Sequence, residues 1–211
     1  MIEVESKWTI SQRGYYQLMS WCSHVKSIDQ LNVYFDEQWT LADAGATCRI
    51  RCAPHLRPMF TLKLPVSWDK GGTRRSIEIE SPVQVAFTNF SLFVLAFNSA
   101  HLNSEVRNAL HQLNVSTLRR VGRMRNIRHV LALPSGDHFE LDKFTLPGRE
   151  VVYEVEIEDV DDDRRASIVS AICDLDPSAF PSRLSKFQRF TEAARRLGHN
   201  ALHGGISAAA S

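Results

Sequence analysis

Glu3, Glu5 and Lys7 occupy alternate positions of Met1-Ile2-Glu3-Val4-Glu5-Ser6-Lys7, alternating with Ile2 and Val4 on the other face. An extended chain sends alternate side chains to opposite faces, so two carboxylates and one ammonium share one side of this segment. Such a row either holds a divalent cation with its accompanying phosphates or forms the solvated side of a strand. The device recurs. Arg49 and Arg51 flank Ile50, Thr61 and Lys63 alternate with Leu62 and Leu64, and Arg74, Glu78 and Glu80 alternate with Ile77 and Ile79. Glu140 and Asp142 flank Leu141, and Glu154, Glu156 and Glu158 alternate with Val155 and Ile157. Acids gather toward the two ends of the chain and bases in its middle.

A sheet with one wet face produces each of these rows singly. A closed barrel would instead bury the aliphatic faces under helices and turn the charged faces toward a lumen. Buried charges persist only when paired or ion-bound, so that lumen would take a charged ligand and a metal. Alternation alone does not say which face points inward.

The elements that must position these residues follow from periodicity. Strands are predicted near 2–8, 31–36, 46–52, 59–65, 74–81, 127–133, 138–144 and 151–158, and helices near 10–27, 86–98, 104–114, 163–174 and 182–197. Ser104 is placed to cap its helix, and the acidic run Asp159–Asp163 suits the positive end of the helix that follows. Gly71-Gly72 and Pro134-Ser135-Gly136 read as turns. The spacing predicts one domain over residues 1–197 and a frayed Gly/Ser/Ala-rich tail over 198–211.

With 25 Lys and Arg against 24 Asp and Glu, the net charge of +1 argues against dedicated DNA binding. No apolar run approaches the length of a membrane span, and no signal pattern opens the chain, so a cytoplasmic protein is expected. Cys22, Cys48, Cys52 and Cys173 lie scattered and read as free thiols, and the eight histidines form no ligand cluster.

Taken in order, the motifs resemble those of the CYTH family, the triphosphate tunnel metalloenzymes. Glu3-Val4-Glu5-Ser6-Lys7 is similar to its ExExK signature, and Asn32-Val33-Tyr34-Phe35-Asp36 to its N-x-Y-F-D strand. Ala46-Thr47-Cys48-Arg49-Ile50-Arg51 resembles its LRIR strand, and Thr61-Leu62-Lys63 its TLK. Glu140-Leu141-Asp142 with Tyr153-Glu154-Val155-Glu156 resembles the closing ELD and YELE segments, and Ser185-Lys186-Phe187-Gln188-Arg189-Phe190 the SK-x-x-RF helix of the short bacterial branch.

The resemblance implies an α+β fold, a closed eight-stranded antiparallel β-barrel with helices packed outside. It implies metal-dependent hydrolysis of inorganic triphosphate or a small organic triphosphate such as thiamine triphosphate or a nucleoside triphosphate, by in-line attack of a metal-oriented water. Carried over by position, Lys7, Arg49, Arg51, Lys63, Arg74 and an arginine of Arg123–Arg128 would grip phosphates. Glu3, Glu5, Asp142, Glu154 and Glu156 would hold Mg²⁺ or Mn²⁺, and Glu5, Glu156 and Lys7 would stand at the reacting centre. Arg125 and Arg128 have opposite parity, so one regular strand cannot turn both inward. Arg128 suits a hairpin with Asp142, and Arg125 stays open. The alternation with Glu78 favours Arg74 over Arg75. Glu158 is expected beyond the lumen, solvated; Lys186 either reaches the tunnel mouth from its helix or, the favoured reading, is an ordinary surface or capping lysine. Tyr34 and Asp36 either line the lumen or set a turn. Trp8, Trp39 and Trp68 are candidates to stack a thiamine ring. The rival readings are a non-catalytic polyphosphate- or nucleotide-binding module, a class IV-type adenylate cyclase, and a plain structural barrel. Either a monomer or a homodimer is compatible.

Overall fold

The computed structural model of the chain describes residues 1–69, 73–83, 96–98 and 102–198. The turn at Gly71-Gly72, most of the helix expected over 86–98 and the tail from 199 onward lie outside the described residues. Among the described residues ten strands and five helices follow one another. They are β1 (Ile2–Ile10), α1 (Gln12–Trp21), β2 (Ser23–Asp36), α2 (Thr40–Asp43), β3 (Thr47–Cys52), β4 (Met59–Trp68), β5 (Thr73–Pro82) and β6 (Ala96–Asn98). Then come α3 (Ser104–Gln112), β7 (Thr117–Ala132), β8 (His138–Thr145), β9 (Val151–Glu158), α4 (Asp162–Leu175), β10 (Phe180–Pro181) and α5 (Lys186–Arg196).

Eight strands pair antiparallel in the order β1-β5-β4-β3-β2-β7-β8-β9, and β9 pairs back onto β1, closing the barrel. Two short strands lie off this ring, β6 on β7 and β10 on β1. The closing register sets Lys7 opposite Glu156 and Glu5 opposite Glu158, while Arg128 faces Asp142 across β7–β8.

The aliphatic faces are the outer ones. Cys48, Ile50, Phe60 and Leu62 pack with Val106 and Leu110 of α3. Leu131, Leu141, Val155 and Ile157 pack with Leu18 of α1 and Ile168 and Ile172 of α4. Each fully buried aliphatic side chain contributes about 1.5–3 kcal/mol, so these two seams hold the charged faces inward. No helix among the described residues is long and apolar enough to cross a membrane.

Helix α5 does not lie on the outside. Its Phe187, Phe190, Ala193 and Ala194 pack on Tyr34, Met124, Phe144 and Val152, which share the inward parity of their strands, so α5 stops one end of the barrel. Gly122 makes room for this plug, because a Cβ there would come within 2.2 Å of Phe190 Cζ. Ser185 caps α5 in a capping box with Gln188, the two exchanging backbone and side-chain hydrogen bonds.

Several expected boundaries move. The helix expected over 10–27 ends at Trp21, and β2 begins at Ser23. Residues Ser23–Asp29 are nearly all exposed, so no burial period marks them; ladder bonds to β7 extend them. Strand β7 likewise begins at Thr117, ten residues before the segment expected from 127. Two register shifts against β2 let both long strands coil around the barrel. Asn103, not Ser104, caps α3, accepting from Val106 N–H; Asp161 caps α4 in the same way, from Arg164 N–H.

Candidate active site in the barrel lumen

The inward faces enclose a cavity of about 510 Å³. Lys186 and Phe187 lie at its stopped end, and the exposed residues Met1, Glu105 and Asp159 at the other, where it opens. Around the ring the walls differ in charge. Strands β1, β8 and β9 supply Glu3, Glu5, Glu140, Glu156 and Glu158. Strands β3, β4 and β5 supply Arg49, Arg51, Lys63 and Arg74, with Glu78 and Glu80 toward the mouth. Strands β2 and β7 supply the neutral Gln30, Asn32, Tyr34 and Asn126 together with Arg128.

The deep carboxylates are bound by cations. Glu156 receives Lys7, Arg128 and Lys186, the last at 2.5 Å. Asp142 takes Arg128 Nε on Oδ1 at 2.9 Å and Nη2 on Oδ2 at 2.7 Å, a bidentate fork, with Lys186 2.8 Å from Oδ2. Glu5 sits 3.1 Å from Lys7 and 3.0 Å from Lys63. Burial alone would raise all three, yet the neighbouring ammonium and guanidinium groups win. Glu5 and Asp142 fall to about 2, and Glu156 is held well below the usual carboxylate range.

Toward the mouth the balance reverses. Burial, then the charges of Glu140 and Glu156, push Glu158 up to about 8. Burial also raises Glu140 and Glu78. Among the described residues two acid groups run from Glu158 to deeper carboxylates, Glu3/Glu5/Glu158 and Glu140/Glu156/Glu158, each with carboxylate oxygens within 4.8 Å of one another. All-oxygen groups of this kind match the donor preference of Mg²⁺ or Mn²⁺.

Arg51 stands apart from the other cations. Among the described residues it enters no ion pair, and its Nε is buried without a hydrogen-bond partner. The charge of Arg49, and then burial, lower it to about 10. Among the described residues Arg49 itself pairs only with Glu78, at 3.7 Å. Two guanidinium groups held side by side with so little counter-charge form an anion site.

The structure therefore brings Glu3, Glu5, Lys7, Arg49, Arg51, Lys63, Arg74, Arg128 and Glu156 to one cavity. Arg125 is not among them: it points outward and is bidentate to Asp29, at 2.7 and 2.5 Å, because parity gave the inward position to Arg128. Arg75 is exposed on the outside. Asp142 and Glu154 are buried at the lumen floor but belong to neither open acid group. Asp142 is saturated by cations, while Glu154 lies 2.9 Å from Lys186 and 3.6 Å from Arg189. Tyr34 lines the cavity, and Asp36 sets the turn by accepting from the backbone N–H groups of Glu37, Leu41 and Ala42.

Two expectations are corrected here. Lys186 is no surface lysine but a buried cation shared by Asp142, Glu154 and Glu156; its sequence signals are the SK-x-x-RF resemblance and the capping box at Ser185, which places Lys186 at the first turn of the plug. Glu158 lies inside the lumen, because β9 remains paired with β1 through that residue. The three candidate tryptophans do not line the cavity. Trp8 packs on an outer core, Trp39 lies under Arg195, and Trp68 lies beside Arg74.

The CYTH domain model matches residues 1–191. No curated protein matches the chain. Among solved structures, a putative adenylyl cyclase from Hippeastrum, described as having a dominant triphosphatase activity, is 22% identical. It superposes with a TM-score of 0.71 over 90% of this chain and 95% of its own. A putative adenylate cyclase from Bacillus halodurans is 24% identical, with a TM-score of 0.64 over 89% and 96%. A protein from Pyrococcus horikoshii is 17% identical, with a TM-score of 0.58 over 90% and 98%. At these identities the likeness is one of fold.

Proposed function

From the premise that this chain belongs to the CYTH family, we propose that it is a triphosphatase acting on inorganic triphosphate or a small organic triphosphate, dependent on Mg²⁺ or Mn²⁺. The observation that carries this reading is the pairing of Arg51, which has no ion-pair partner among the described residues, with two acid groups lining the same cavity. A polyphosphate accompanied by a divalent cation complements both at once. The description of the Hippeastrum protein as a triphosphatase agrees with it.

Arg49 and Arg51 offer planar, bidentate contacts to phosphate oxygens, and Lys63 and Lys7 offer point charges. Substrate entry at the Met1 end would bring the chain of phosphates between the basic and acidic walls. Glu3, Glu5, Glu140, Glu156 and Glu158 are the residues that would hold the metal, with Asp142 and Glu154 behind them. When bound, a divalent cation would neutralise phosphate charge and favour in-line displacement at the terminal phosphorus. The stopped end excludes water from that side. Because no tryptophan lines the cavity among the described residues, inorganic triphosphate ranks ahead of thiamine triphosphate. Free, unpaired cysteines suit a reducing, cytoplasmic setting.

Phosphate release from tripolyphosphate, ATP and thiamine triphosphate, with Mg²⁺, Mn²⁺ or EDTA and beside Glu5→Gln, tests the proposal. Metal-dependent release that is lost in the variant is the expected outcome. Tight tripolyphosphate binding without release from any substrate would overturn it in favour of a binding module, and cyclic nucleotide formed from ATP in favour of a cyclase.

A further inference from the structure

Two histidines that stand far apart in the sequence meet on the outer wall of the barrel. Pairing of β2 with β7 sets Ser27 opposite His129, and the ring centroids of His24 and His129 come to 5.8 Å. His24 Nε2 lies 2.7 Å from Ser27 Oγ, and His129 Nδ1 lies 2.6 Å from the same oxygen. Two imidazole nitrogens are thus aimed at one point. The other nitrogen of His129, Nε2, lies 2.9 Å from the hydroxyl of Tyr15, a buried residue that meets the ring edge-on. None of these four residues lines the lumen.

A hydroxyl has a single proton, so Ser27 donates to one of the two nitrogens and must accept from the other. A cation takes both lone pairs at once, and the remaining N–H of His129 then donates to Tyr15. An imidazole whose far nitrogen is tied to an oxygen has its tautomer and ring orientation fixed for metal ligation. Burial, and then the charge of His24, hold His129 below its ordinary pKa, so at neutral pH the ring is uncharged and able to ligate. His24 and Ser27 are exposed, so an ion and its waters reach the point where the nitrogens converge.

We propose that His24 Nε2 and His129 Nδ1 form a binding site for a late first-row divalent ion, of the class of Ni²⁺, Cu²⁺ and Zn²⁺, on the outer wall of the barrel. Among the described residues no carboxylate bonds to either ring, so the site is built on nitrogen and favours these ions over Mg²⁺. The ion takes the place that the Ser27 hydroxyl fills between the rings, and water completes its coordination. Both histidines stand on paired strands, so little ordering is lost on binding.

The test titrates untagged protein with Ni²⁺ by calorimetry in excess Mg²⁺, which competes for oxygen-only sites and leaves imidazole free. Wild type is compared with His24→Ala, His129→Ala and Ser27→Ala, and pulsed EPR of the Cu²⁺-loaded proteins counts the imidazoles coupled to the ion. Wild type should show two coupled imidazoles and His24→Ala one. The Ni²⁺ Kd should rise at least about 10-fold in either histidine variant, the least that loss of even an outer partner of a ligand costs. Ser27→Ala should bind as tightly as wild type or more so, because no hydroxyl then has to be displaced. If His129→Ala fails to fold, His24→Ala, on the surface, carries the same comparison. An equal Ni²⁺ Kd in wild type and His24→Ala, or fewer than two coupled imidazoles in wild type, would overturn the site.

Discussion

Lys186 Nζ lies 2.8 Å from Asp142 Oδ2, joining the first turn of the plug helix to the barrel wall. The same ammonium lies 2.9 Å from Glu154 and 2.5 Å from Glu156, so one cation from α5 compensates three buried carboxylates. Lys186→Met would leave them short of a counter-charge. Removing one partner of a buried ionic network costs about 3–5 kcal/mol. The variant should melt well below wild type in EDTA, and Mg²⁺ or Mn²⁺ should restore part of the loss by binding the folded state. Equal melting temperatures in EDTA would show that these contacts carry no stability.

Arg51 predicts the opposite balance. Among the described residues no carboxylate pairs with it, and Arg49 repels it, so Arg51→Ala should leave the melting temperature unchanged or raise it slightly. Charge-assisted contacts to phosphate are worth about 1.5–3 kcal/mol, so tripolyphosphate Kd should rise by about 10- to 100-fold. Calorimetry beside thermal melting checks both halves. An unchanged Kd would place the substrate elsewhere.

The metal-free protein should lose stability as pH rises, with Glu158 the main cause and the raised Glu78, Glu140 and Glu154 acting in the same direction. Its carboxyl titrates near 4.5 in an unfolded chain and at about 8 in the fold. A group raised on folding contributes stability that is fully present below about 4.5 and is lost as pH rises through about 8. Glu5 and Asp142 act in the other direction. Their stabilisation is present above the ordinary carboxylate range and is lost as pH falls toward about 2. Melting temperature in EDTA should therefore decline between about pH 5 and 8, and Glu158→Gln should flatten that decline. A decline of the same size in the variant would assign it to another group.

Much of this arrangement is legible from alternation. A period of two places Glu3, Glu5 and Lys7 on one face, and the same rule separates Arg128 from Arg125 and Arg74 from Arg75. Alternation cannot choose the inward face; helices α1, α3 and α4 do so by covering the aliphatic side. The buried position of Lys186 is not legible in the sequence, because a helix can lie across a barrel end as readily as along its wall and its own residues do not distinguish the two. The lumen position of Glu158 is hidden for a related reason, since the length of β9 inside the barrel depends on its register with β1. The first half of β2 carries no apolar period at all, being held by backbone bonds to β7.

The plug also depends on an absent side chain. A Cβ on Gly122 would come within 2.2 Å of Phe190 Cζ and 3.0 Å of Cε1, closer than any contact the ring tolerates without moving. Phe190 is 4% exposed and packs with Phe187 and Tyr34, so its ring has little room to yield. Gly122→Ala should cost about 1–3 kcal/mol by overpacking, and should shift α5 and with it Lys186. Phe190→Leu in the same chain should return part of that cost, giving a coupling energy above about 0.5 kcal/mol in a double-mutant cycle. Additive effects of the two changes would mean that the close approach of Phe190 to Gly122 does not hold the plug in place.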